Sequence, residues 1–204
     1  QWDNFCNRLS QIKTGKLNQN MEVEDFGKLN WQGGSWITST EWKTLGLDIN
    51  IFNKIPKSSS DRIKENEWID FVNKLSSFKN KSFNALTTNI LDFNGENGIS
   101  QAEFTALGLW DVMNPIYTKL NYLDKTADTG LSYGTAESDW DRFMARYSVW
   151  TSETPAFEYD DFFNFFDVDS DKIISENEAG YYGLNISIFQ NKATIKDWTI
   201  YFKQ

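Results

Sequence analysis

Apolar side chains in WIDFVNKLS fall at Trp68, Phe71, Val72 and Leu75. Steps of three and four residues gather them on one face of a helix. FEYDDFFNFF predicts a second helix, with Thr154 as its N-cap and Pro155 in its first turn. NEAGYYGL predicts a third, closed by its glycine. The fold class expected is all-α, with helices joined by polar loops.

The first pattern recurs. WDNFCNRLS from Trp2, WIDFVNKLS from Trp68 and WDRFMARYS from Trp140 share Trp, Phe, Leu or Tyr, and Ser at the same offsets. A second block follows each: ITSTEWKTLGLD from Ile37, ISQAEFTALGLW from Ile99 and ISENEAGYYGLN from Ile174. Each glutamate leads to Leu or Tyr, then Gly, then Leu. Glu41 precedes Leu45-Gly46-Leu47, Glu103 precedes Leu107-Gly108-Leu109, and Glu178 precedes Tyr182-Gly183-Leu184. Two blocks matching in order three times over are an internal repeat. WTIYF at Trp198 starts a fourth copy, and the tryptophans are spaced unevenly, about 58 to 72 residues apart. Together with an initial Gln instead of Met, this predicts a processed or excised piece of a longer array; the alternative is a terminal helix serving as a cap.

Oxygen-rich loops lie within the repeats. DVDSDKIISENE, residues 167–178, and its flanking helices resemble the EF-hand calcium-binding family. Ca²⁺ is a hard ion that takes six to eight oxygens. The resemblance implies that these come from Asp167, Asp169, Asp171, the carbonyl of Ile173, Ser175 (often through water) and a bidentate Glu178. Ile174, in the eighth place, would form a short β-bridge to a partner loop. DFNGENGISQAE, residues 92–103, fits the same frame with Asp92, Asn94, Glu96, the carbonyl of Gly98, Ser100 and Glu103. Both loops depart from the family in the sixth place, where Gly normally makes the turn. Asn97 tolerates a left-handed backbone well, Lys172 at some cost. Two calcium sites are therefore expected.

The other loops keep the frame and lose the ligands. NWQGGSWITSTE, residues 30–41, offers Asn30, Gln32, Gly34, Thr38 and one carboxylate, Glu41. Its expected role is structural, with Trp31 and Trp36 packing on the loop or contacting a neighbouring module. PKSSSDRIKENE, residues 56–67, retains only Ile63 and Glu67. DKTADTGLSYGT, residues 124–135, offers Asp124, Thr126, Asp128, the carbonyl of Gly130 and Ser132 as a candidate third site. Its twelfth place is Thr135, and Glu137 comes two residues too late. The last partner shrinks to NKATIKD. The implied architecture is three tandem pairs of EF-hands with short β-bridges between paired loops. Residues 1–79 would hold an N-terminal helix and the first pair, 80–152 the second, and 153–204 the third, its truncated partner near 187–197. In each pair a metal-type loop leads, and the Trp segment is the trailing hand's outgoing helix. Trp42 and Phe104, directly after the loop glutamates, are expected in the core.

Composition narrows the function. The 204 residues are 40% hydrophobic and 16% aromatic, with nine Trp and three Met. Acids outnumber bases 29 to 20, for a net charge of −9. That balance argues against nucleic acid or an anionic membrane and is compatible with cations as partners or simply with an acidic surface. The chain has no His, which removes most general-base and transition-metal chemistry. No phosphate-cradling glycine loop is present, and the clustered carboxylates have an explanation in metal, so no enzyme is expected. No run approaches a membrane span. The single Cys6 identifies no compartment. The sequons Asn80-Lys-Ser and Asn185-Ile-Ser permit secretion, where millimolar Ca²⁺ would fill even weak sites. The expectation is a calcium-binding repeat protein, a structural or assembly module that Ca²⁺ rigidifies, partnered by neighbouring repeats or copies of itself. A calcium sensor opening an apolar groove is the first alternative, though such grooves favour Met; a calcium buffer is the second.

Overall fold

The computed structural model describes residues 21–120, 130–135, 138–152, 166–183 and 192–194, together with Asn7. The Trp2 and Trp198 segments, Thr154, Pro155, Asp124, Thr126, Asp128, Glu137 and Asn185 lie outside the described residues, as does all of FEYDDFFNFF except Phe166.

Helices take most of the described residues, so the class is predominantly helical. A 3₁₀ turn at Val23–Asp25 leads into α1 (Phe26–Leu29), followed by β1 (Trp36–Thr38), α2 (Ser39–Thr44) and α3 (Ile49–Lys54). Then come β2 (Arg62–Lys64), α4 (Glu65–Lys79), a 3₁₀ turn at Phe83–Ala85, α5 (Thr88–Leu91), α6 (Gln101–Ala106) and α7 (Trp110–Leu120). The remaining elements are α8 (Asp139–Ser152), β3 (Ile173–Ser175), α9 (Glu176–Tyr181) and β4 (Lys192–Thr194). The chain forms two compact units, Gln1–Asp111 and Val112–Gln204.

The second repeated block explains both ends of α2, α6 and α9. Thr38, Ser100 and Ser175 are their N-caps, and each accepts the N–H of the glutamate three places on: Glu41, Glu103 and Glu178. The glutamates bond back to the N-cap N–H, completing a capping box that satisfies two orphan donors. At the other end Gly46, Gly108 and Gly183 have φ of 75°, 70° and 72°. Only glycine adopts this freely, and it lets Leu47 N–H reach the Trp42 carbonyl at 3.2 Å and Leu109 N–H reach Phe104 at 2.7 Å. Gly-Leu after each short helix is thus a stop signal.

Two small antiparallel sheets hold loops together within each unit. β1 pairs β2 with Ile37 opposite Ile63, and β3 pairs β4 with Ile174 opposite Ala193. The central residue of β1 and of β3 is the eighth of its loop. Ile37, Ile63 and Ile174 are fully buried, which pins the register, since a one-residue slip would turn them to water.

Aromatic side chains fill the cores. In the first unit Trp42 lies 5.6 Å from Phe52 and 6.2 Å from Trp68, and Phe78 lies 5.3 Å from Phe83 and 6.3 Å from Phe104. Trp68, Phe71, Val72 and Leu75 of α4 are all buried, as their spacing predicts. The Trp68 indole also donates to the Glu22 carbonyl at 3.1 Å, and Trp42 to Asp48 at 2.8 Å, so neither N–H is stranded. In the second unit Tyr182 packs edge-on against Phe166 at 4.6 Å and lies 6.2 Å from Phe143. Among the described residues no helix is long and apolar enough to cross a membrane.

Candidate metal centre

Loop 167–178 runs from buried Phe166 to α9, and β3 lies within it. Asp167 is buried, Asp169 and Asp171 are exposed, and carboxylate oxygens of the three lie within 4.8 Å of one another. Among the described residues no other trio of acids converges so closely. Most of the polar atoms here have partners. Asp167 Oδ2 accepts the Lys172 N–H at 3.1 Å, Asp169 Oδ1 accepts Asp171 at 3.1 Å, and Asp171 Oδ1 accepts Ile173 at 2.8 Å. Glu178 Oε1 takes Val168 and Asp169 N–H at 2.7 and 3.2 Å, while Oε2 takes Ser175 N–H and Oγ, both at 2.8 Å.

Asp167 Oδ1 is the exception. It is buried and has no hydrogen-bond partner, in a residue only 3% exposed. Leaving a carboxylate oxygen unsatisfied costs more than a neutral group would, unless something outside the chain satisfies it. Burial raises the Asp167 carboxyl above the ordinary range. Glu178 and Asp171 add to the rise, while the Lys172 N–H and the Lys119 charge oppose it. Concentrated negative charge, one orphaned buried oxygen and an all-oxygen donor set fit a hard divalent cation.

Loop 92–103 repeats the frame with different details. Asp92 Oδ1 accepts the N–H of Gly95 at 2.7 Å and of Glu96 at 3.1 Å, and its Oδ2 accepts that of Asn97 at 3.2 Å. Asn94 Oδ1 accepts Glu96 N–H at 3.0 Å, and Gly98 is buried. Glu103 bonds Asn94 N–H at 3.3 Å and Ser100 N–H at 2.8 Å. Burial raises the Glu103 carboxyl, and Asp92 raises it further. Asn97 and Lys172 take φ of 65° and 70°, the left-handed turn required of the sixth place.

No family model, curated protein or solved structure matches the chain. The chemistry of the site must be read from its own residues.

Loops 30–41 and 56–67 keep the closing glutamate but have no acid in the first, third or fifth place. The Asn30 side chain bonds Gly34 in both directions, through its amide to the carbonyl and through Oδ1 to the N–H at 3.0 Å. Glu41, 1% exposed, spends its oxygens on Gln32 N–H at 3.0 Å and Thr38 N–H at 2.8 Å. Trp31 and Trp36 point outward, 44% and 37% exposed, with Arg62 4.6 Å above the Trp36 ring. In loop 56–67 the Lys57 ammonium donates to the carbonyls of Phe52, Asn53 and Ile55 at 2.6, 3.0 and 3.3 Å, closing the end of α3.

Sequence reasoning missed Asp139. Ser132 stands in the ninth place of loop 124–135, and its Oγ accepts the Asp139 N–H at 3.0 Å. Ser132 N–H donates back to Asp139 Oδ2 at 3.3 Å. This is the reciprocal pair that loops 30–41, 92–103 and 167–178 make with their twelfth-place glutamate, here spanning seven residues instead of three. Asp139 is completely buried, and it stands four residues beyond Thr135, the twelfth place. A search for Glu at fixed spacing could not find it; a search for an acid just before the repeated Trp could have.

Proposed function

We propose that this chain is a calcium-binding protein of tandem EF-hand-like pairs, with sites in loops 167–178 and 92–103. The supporting observation is the orphaned buried Oδ1 of Asp167, set among Asp169 and Asp171. Ligands in the first site would be Asp167, Asp169, Asp171, the Ile173 carbonyl, Ser175 and Glu178. In the second they would be Asp92, Asn94, Glu96, the Gly98 carbonyl, Ser100 and Glu103. Calcium would supply charge neutralisation and cross-linking of the loop, and no catalytic step follows from it.

On this reading the ion is structural. Binding free energy to a loop held together by its own carboxylates becomes stabilising free energy for the fold. The stiff aromatic cores and the ligand-poor loops 30–41 and 56–67 favour a rigid module of a repeat array over a sensor that opens. Calorimetric titration of the full chain tests this. Calcium should bind and raise the melting temperature with little new binding of a hydrophobic dye. Asp167→Asn and Glu178→Gln should each remove the 167–178 site while leaving 92–103 intact. Strong dye binding on calcium addition would support the sensor instead, and no calcium response would end both readings.

A further inference from the structure

The fourth place is left-handed in all three leading loops, at Gly33 (φ 79°), Gly95 (φ 79°) and Ser170 (φ 64°). Glycine takes this conformation without penalty, whereas a side chain there is strained. The loop lacking the glycine has a contact from outside itself. Lys119, near the end of α7, donates from Nζ to the main-chain carbonyl of Asp167 at 2.7 Å and to Ser170 Oγ at 3.3 Å. One ammonium thus grips the first and fourth places of the loop. The first place is the residue whose buried Oδ1 has no partner.

We infer that Lys119 is a positioning residue for loop 167–178, holding Asp167 and Ser170 in the geometry that glycine gives the other two loops. The inference rests on the calcium reading above. It makes the site depend on α7 as well as on its own twelve residues. The charge of Lys119 acts in the opposite sense, because an ammonium near the ion repels it. Loss of charge alone would tighten calcium binding, so the direction of change in a variant separates grip from repulsion.

Calcium titration of the full chain, followed by backbone-amide NMR, reads the two loops separately. Lys119→Met should weaken binding at 167–178 by about 10-fold and leave 92–103 unchanged. Ser170→Gly added to Lys119→Met should recover most of the loss, which general destabilisation would not allow. With calcium removed by chelator, the Lys172 amide should exchange with solvent faster in Lys119→Met than in wild type. Unchanged or tighter binding in Lys119→Met, or unchanged Lys172 exchange, overturns the inference. A wild-type loop 167–178 that never responds to calcium overturns the calcium reading instead, and the exchange measurement still judges the grip.

Discussion

Lys172 is the residue at which the loop's needs and the sequence disagree most. Its φ of 70° belongs to glycine, yet its N–H is needed for the bond to Asp167 Oδ2. Lys172→Gly keeps that bond and removes the steric cost. It should stabilise the fold by about 0.5–1 kcal/mol, with or without calcium, after the greater freedom of the unfolded glycine is subtracted. Asn97→Gly should gain less, because Asn tolerates the left-handed region. Paired urea denaturations of the two variants in chelator check the order. A second residue-scale prediction concerns pH. Burial raises the Asp167 and Glu103 carboxyls, so without calcium the folded chain holds these protons more tightly than the unfolded chain. Their contribution to stability is therefore present below the ordinary carboxylate range and is lost as pH rises through the raised folded values. Calcium needs the ionised forms, so its affinity should rise over the same window. Urea denaturation in chelator across pH should show a flatter decline in Glu103→Gln than in wild type.

Among the elements, α4 was the most legible, because its apolar spacing alone placed Trp68, Phe71, Val72 and Leu75 on one buried face. The capping boxes were read only as ligands: the hydroxyl and glutamate of each loop are also the N-cap and third residue of the helix that follows. One local signal serves both purposes, since the same spacing that places two loop ligands also starts the helix. What could not be read was any bond reaching beyond its own loop. Lys119 meets Asp167 across 48 residues, and Asp139 reaches Ser132 across seven; neither obeys the repeat's spacing. Trp68 offers a test at this scale. It is fully buried, packs on Trp42 and Phe71, and bonds the Glu22 carbonyl. Trp68→Ala should destabilise the first unit by about 3–5 kcal/mol, seen as a lower denaturation midpoint. Calcium binding at 167–178, in the other unit, should be unchanged.

For the whole molecule, charge is the controlling quantity. The chain carries −9, and one ion in each of the two proposed loops would offset about four of those charges. Calcium at a hundredfold excess over its dissociation constant should add about 2.7 kcal/mol per site. Scanning calorimetry with calcium and with chelator should therefore show a large upward shift. Magnesium should give a smaller one, since it demands a tighter octahedron. Glu41→Gln should leave the calcium stoichiometry unaltered, because loop 30–41 has Asn30, Gln32 and Gly34 where the proposed sites have acids or Asn. The sequence by itself determined the helical class, the repeat and the places of the loop residues, because caps, periodicity and ligand spacing are local properties of the chain. Tertiary structure alone decided which oxygen is left without a partner, which lysine grips the loop and which acid closes against Ser132. Burial and long-range contact decide those, and neither is written in spacing along the chain.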